Sequence, residues 1–239
     1  MIRTALTEIA EFAEFAAYCA APRLIAPSPL HLGRRREGWR RWGIMVALYC
    51  AGLAVIGPLI AVWGRAFHLS AAASFSGFSP LVLVPAVVLV FPLLEEALFR
   101  GWLTGRPRAL WLLAMAVLGA ALLGAVSLHW QETAASLGAV ATVPAALAGW
   151  FVLRRRTDPP RWFAAAFGAW FYLSVLVFGL MHMANYHSAS LIVLPMVLPQ
   201  LWAGLVFGYL RMRHGLIASA LAHAAGNAAT LAAALLIGG

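Results

Sequence analysis

The chain has 239 residues, 63% of them hydrophobic and only 10% charged, and its net charge of +9 rests on arginine alone because it contains no lysine. Soluble domains carry about 25% charged residues, so this composition excludes a soluble globular domain and points to a polytopic membrane protein. No basic, aromatic-interleaved face lies outside the apolar runs, so nucleic acid is not an expected partner; the arginines are matched to membrane orientation and anionic lipid heads.

In chain order, the first residues do not have the basic-then-apolar design of a cleavable signal. Glu8, Glu11 and Glu14 recur at helical spacing opposite Ile9, Phe12 and Ala16. That pattern predicts an amphipathic helix on the membrane or on the bundle, or a helix with a solvated acidic face. Pro22, Pro27 and Pro29 break the chain before a basic flank of Arg34, Arg35, Arg36, Arg40 and Arg41. Seven apolar stretches follow, at about 43–64, 80–103, 109–128, 139–153, 162–181, 191–210 and 216–237. The second carries Pro85 and Pro92, which predicts a kink or a broken helix. The expected fold is therefore all-α, a membrane helix bundle of about seven spans, within a range of six to eight. Residues 1–42 form a cytoplasmic or interfacial segment, and 43–239 form one membrane-embedded domain.

Arginine placement orients the spans. Fifteen of the seventeen precede the first span or lie after the second, fourth and sixth; Arg65 and Arg100 are the other two. This alternation predicts a cytoplasmic N-terminus. Trp39, Trp42, Trp63 and Trp130 sit near span ends and read as interfacial anchors.

Chemistry concentrates at three places. Phe91-Pro92-Leu93-Leu94-Glu95-Glu96-Ala97-Leu98-Phe99-Arg100 sets two of the eight acids inside an apolar run. An ionisable group in a span is costly and marks a functional site. On a helix the two glutamates point about 100° apart, whereas Glu96 and Arg100 share a face. Arg100 is thus expected to pair with Glu96, leaving Glu95 available as a base. Phe178-Gly179-Leu180-Met181-His182 closes the fifth span, and Asn185, Tyr186 and His187 read as an ordinary polar loop. His223-Ala224-Ala225-Gly226-Asn227 places two hydrogen-bonding side chains on one face of the seventh, among small residues that allow close helix approach. Such a pair suits either an oxyanion or polar contacts between helices. His129, beside Glu132, reads as a loop histidine.

Carboxylate plus two histidines is an inventory for activating water, by general-base chemistry or through a metal. No HExxH or GxSxG motif, and no pair of aspartates within the spans, is present. Cys19 and Cys50 lie far apart and have neither disulfide nor zinc-site spacing.

The three segments resemble a known set. EEALFR resembles the EExxxR motif, FGLMH the FxxxH motif and HAAGN the HxxxN motif of the CAAX-processing and bacteriocin-processing (CPBP, Abi) intramembrane proteases, in the family's order. The resemblance covers 91–103 and 175–239. It implies a helical membrane endopeptidase in which Glu95 is the general base on water and His182 helps bind that water. His223 and Asn227 would stabilise the oxyanion, with Glu96 and Arg100 supporting the site. It leaves a divalent metal such as zinc open, with Glu95, His182 and His223 as candidate ligands. In familiar members the glutamates and the FxxxH histidine lie on consecutive spans; here the stretch 109–153 adds two spans between them. By hydropathy alone, Glu95 and His223 sit roughly 12 Å from the cytoplasmic boundary at 1.5 Å per residue, and His182 falls at the outer end of its span.

The resulting expectation is an intramembrane endopeptidase, in a bacterial inner membrane, acting on C-terminal tails, leaders or sorting tags of membrane-associated proteins or peptides. The alternatives are a non-enzymatic immunity or scaffold protein, and a proton-coupled transporter using Glu95 and His182 as a relay.

Overall fold

A computed structural model describes residues 2–25, 36–69, 79–186 and 190–238. Pro27, Pro29, Arg34, Arg35 and His187 from the sequence reading lie outside the described residues. The described elements are helical: α1 (Ile2–Ala20), α2 (Arg36–Ala66), α3 (Pro80–Pro85), a π-helical turn (Ala86–Val90), α4 (Phe91–Arg100), α5 (Pro107–Ser127), α6 (Glu132–Leu153), α7 (Arg161–Ala165), α8 (Phe167–Met181), α9 (Leu198–His214) and α10 (Leu216–Gly238). Short 3-10 segments cover His182–Asn185 and Leu191–Val197. Among the described residues, seven helical stretches are long and apolar enough to cross a membrane, as the hydropathy predicts.

Three boundaries differ from that reading. The first span begins at Arg36, so α2 has 31 residues and is roughly 46 Å long at 1.5 Å per residue. The fourth begins at Glu132 and not near Ala139; Glu132, Thr133 and Ser136 dilute its hydropathy without interrupting the helix. The fifth is split: α7 ends at Ala166, whose φ of −104° and ψ of 17° leave the helical region, and α8 starts afresh at Phe167.

The chain forms two compact units. One joins Met1–Arg100 with Phe167–Gly239; the other is Gly101–Ala166. In the second unit, α5 and α6 form a hairpin closed by small residues. A Cβ at Gly119 would meet Thr142, one at Gly138 would meet Leu122, and Trp111 lies against Gly149. Trp111 also donates from Nε1 to the Ala145 carbonyl at 2.9 Å. The turn before α5 needs Gly105, whose φ is +67° and which faces Phe163 and Pro159.

In the first unit α9 is the hub, with Ala203, Gly204, Val206, Phe207, Gly208, Tyr209 and Leu210 all buried. It runs antiparallel to α8: Leu201 lies against Gly179, Gly204 against Val175, and Gly208 against Phe171. A reversal at Gly215, with φ +100°, sends α10 back along α9. On the α2 side, Trp202 lies over Gly52 and donates to the Tyr49 carbonyl at 3.1 Å. Trp42 and Trp63 likewise donate to Ala218 and Ile192 carbonyls, at 2.9 and 2.8 Å. Both therefore tie helices together, whereas Trp39 and Trp130 are exposed.

Helix α1 rests on the bundle, one of the settings its amphipathic pattern allows, with one acid turned inward. Glu11, Phe15 and Tyr18 form its buried stripe, and Ile9 and Phe12 face outward. Glu11 accepts hydrogen bonds from Arg41 Nη1 at 3.1 Å and Tyr209 Oη at 3.0 Å, and Glu14 pairs with Arg213 at 2.7 Å. Helix α1 thus docks through the Glu11 carboxylate and through the Phe15 and Tyr18 rings, which meet Trp202, Tyr209 and Phe171.

Candidate active site

The site grows out of a deliberate break in the second span. Proline has no N–H to donate, so Pro92 orphans a carbonyl one turn earlier. The π-helical turn shifts that loss to Val87. Phe91 N–H reaches back five residues to the Ala86 carbonyl, and the next donor in that register would be residue 92. Asn227 Nδ2 fills the gap, donating to the Val87 carbonyl at 2.9 Å. One N–H of the Asn227 amide is thus committed to holding the broken helix against α10; the amide has a second.

Helix α4 then presents its glutamates in different directions. Glu96 is fully buried. Its Oε1 accepts from Arg100 Nη1 at 2.8 Å, the expected pair one turn apart. The same oxygen lies 3.1 Å from His223 Nδ1, and Oε2 accepts from the Ser219 hydroxyl. Arg100 is equally buried, with its guanidinium carbon 3.9 Å from the centre of the Phe178 ring. Its backbone carbonyl accepts from Arg211 Nε at 2.9 Å. From α8, Ser174 donates to the Phe99 carbonyl at 2.7 Å, which seats the end of α4 against Phe178.

Glu95 differs in every respect. Its side chain is 31% exposed, and its Oε2 is buried with no hydrogen-bond partner, 3.6 Å from His223 Nε2. His223 therefore sets one nitrogen against each glutamate. Its ring is stacked on Phe207, centroids 4.9 Å apart at 28°, and meets the edge of Phe178 at 5.8 Å and 88°. Two aromatic walls and Glu96 hold the imidazole with Nε2 toward Glu95.

His182 also packs on the Phe178 ring, 4.9 Å from its centre. Its Nδ1 is 2.8 Å from the Phe178 carbonyl. A carbonyl only accepts, so Nδ1 carries the proton and Nε2 is the nitrogen left to accept. Both imidazoles thus touch one phenyl ring. As the hydropathy reading has it, His182 lies at the end of its span, in the 3-10 turn that follows Met181.

The structure brings Glu95, Glu96, Arg100 and His223 into one cluster, with Asn227 one turn further along α10 and His182 against the Phe178 ring that His223 also touches. Sequence reasoning missed Ser219 and Phe207 as cluster members and carried Phe178 only as the first residue of the FxxxH motif. Ser219 had a signal: Ser219, His223 and Asn227 recur every four residues and so share one face of α10. The contacts of Phe207 had none. Among the described residues, no three His, Cys, Asp or Glu side chains are placed to hold a metal ion. His129 pairs with Glu132 at 2.6 Å on an exposed turn, apart from the cluster.

A family model described as Type II CAAX prenyl endopeptidase Rce1-like matches residues 77–164 and 159–229, more than half of the chain. The first stretch contains both glutamates and Arg100; the second contains His182, Ser219, His223 and Asn227. No curated protein matches the chain, and no solved structure does.

Proposed function

We propose that this chain, which belongs to the Rce1-like type II CAAX prenyl endopeptidase family and is an integral membrane peptidase, cleaves its substrates with water activated by Glu95. The observation that carries the reading is the bridge of His223 between the two glutamates. Glu96 is tied to Arg100 and Ser219 and takes Nδ1. That contact directs Nε2 toward Glu95, the carboxylate with an open side and an unpaired oxygen.

In this reading Glu95 removes a proton from water as the oxygen attacks the scissile carbonyl carbon. His182 Nε2 accepts the other hydrogen of that water. The proton passes from Glu95 to His223 Nε2 and then to the leaving amine nitrogen. The second N–H of Asn227, with the newly protonated His223, stabilises the oxyanion. Arg100 and Glu96 offset each other's charge in a low-dielectric interior and keep the imidazole oriented. Three metal-ligating side chains do not converge among the described residues, so no step is routed through a metal.

The substrate class that fits the family is a membrane-associated protein or peptide cut within its C-terminal tail; leader segments and sorting tags present the same chemistry. An internally quenched, farnesylated peptide ending in a CAAX tetrapeptide, presented to the protein in liposomes, tests the reading. Glu95→Gln and His223→Ala should each lower turnover by about 10²–10⁴-fold, the range for losing a general acid or base. Cleavage at the parent rate by both variants would overturn the assignment and return the cluster to a scaffold role.

A further inference from the structure

Three side chains between Leu191 and Leu210 carry hydrogen-bonding groups. Trp202 Nε1 donates to the Tyr49 carbonyl and Tyr209 Oη to Glu11. The third, Gln200, has a buried Oε1 with no hydrogen-bond partner among the described residues. Buried polar atoms are nearly always paired, and an orphan amide inside a span requires a reason.

Helix geometry locates this amide. Leu201, Gly204 and Gly208 face α8, and Trp202 faces α2. Phe207 faces His223 on α10. Gln200 and Phe207 are seven residues apart, so they share a face, separated by roughly 10 Å along the axis. The neighbouring Leu201 packs on Gly179, the residue between Phe178 and the turn that holds His182. Gln200 is therefore level with His182, on the side of α9 that carries the stacking ring of His223.

We propose that the Gln200 carboxamide docks the backbone of the substrate. A primary amide offers one acceptor and two N–H donors, the complement of a peptide unit's N–H and carbonyl. An extended segment beside the scissile bond pairs with it at two points and supplies the partner that Oε1 lacks. The ligand class is a peptide in extended conformation, recognised through its main chain and so without regard to side-chain identity. This rests on the endopeptidase reading above.

The test uses the full chain in liposomes and the farnesylated CAAX peptide, together with analogues N-methylated at single backbone amides. In Gln200→Met, KM for the peptide rises about tenfold, the worth of a hydrogen bond made only on binding, with kcat within twofold. Thermal stability holds or increases, because an apolar side chain removes a buried oxygen that has no partner. In the parent one N-methyl position weakens binding by a similar factor, and in Gln200→Met that position has no further effect. Gln200→Asn, which keeps the amide on a shorter stem, falls between the two. Parent-like KM in Gln200→Met, an unchanged N-methyl penalty at every position, or a joint loss of stability and kcat overturns the proposal. Glu95→Gln, assayed alongside, separates the two readings. If it is inert while Gln200→Met matches the parent, only the docking role fails; if it cleaves like the parent, the site assignment fails and the docking role falls with it.

Discussion

Exchanging Glu96 for glutamine should destabilise the protein strongly, whereas the same exchange at Glu95 should not. Glu96→Gln preserves shape but removes the counterion of Arg100, whose guanidinium is sealed from solvent with Nη2 already unpaired. Removing one partner of a buried pair costs about 3–5 kcal/mol, because the other charge stays behind. For a chain of this size about 1 kcal/mol moves Tm by roughly 2–4 °C, so the loss is on the order of 10 °C. Glu95 makes no hydrogen bond through Oε2 and is partly open, so Glu95→Gln should stay within about 0.5 kcal/mol of the parent while losing turnover. Thermal unfolding in detergent micelles, followed by tryptophan fluorescence, reads the stability; the quenched peptide reads the activity. The double variant Glu96→Gln/Arg100→Met should recover much of the lost stability. Equal destabilisation by the two single exchanges would refute the division of labour between the glutamates.

Asn227→Leu leaves the Val87 carbonyl without a donor and should cost about 1–3 kcal/mol. Adding Pro92→Ala restores an N–H to the helix and should recover stability but not activity, as a double-mutant cycle of unfolding and turnover will show. Prolonged exposure to a strong chelator, followed by the peptide assay, should leave activity intact; loss that added zinc restores would contradict the metal-free route. Burial pushes the Glu11 carboxyl above its usual range, outweighing the Tyr209 hydroxyl and Arg41, which pull it down. A raised folded-state pKa means the native protein binds the proton more tightly, so this stability is present below the unfolded pKa of about 4.5 and is lost as pH rises through the folded value. Unfolding midpoints measured from pH 4 to 8 should fall in the parent relative to Glu11→Gln, and a constant difference would contradict the shift.

Features set by local chemistry were legible in the sequence. Hydropathy located seven spans, since an apolar run of sufficient length has few other fates. The four-residue spacing of Glu96 and Arg100 predicted their pairing, because one helical turn decides it. Partnerships between helices were not legible. Nothing near Phe207 in the chain says that its ring will stack on an imidazole sixteen residues later, across the reversal at Gly215. Pro92 announced a break, but the identity of the donor that repairs it depends on how α10 packs. The α1 pattern showed the acids opposite Ile9 and Phe12, but not that Glu11 alone would turn inward, because its partners Arg41 and Tyr209 come from other helices.

The docking of α1 also has a bearing on biogenesis. Glu11 and Tyr209 are 198 residues apart and Glu14 and Arg213 are 199 apart, whereas Glu11 and Arg41 are separated by only 30. Chains emerge amino-terminus first and long loops close late. Helix α1 can therefore latch onto the start of α2 while synthesis continues, but it cannot complete its seat until α9 has been made. A helix made before α2 is thus seated only after α9.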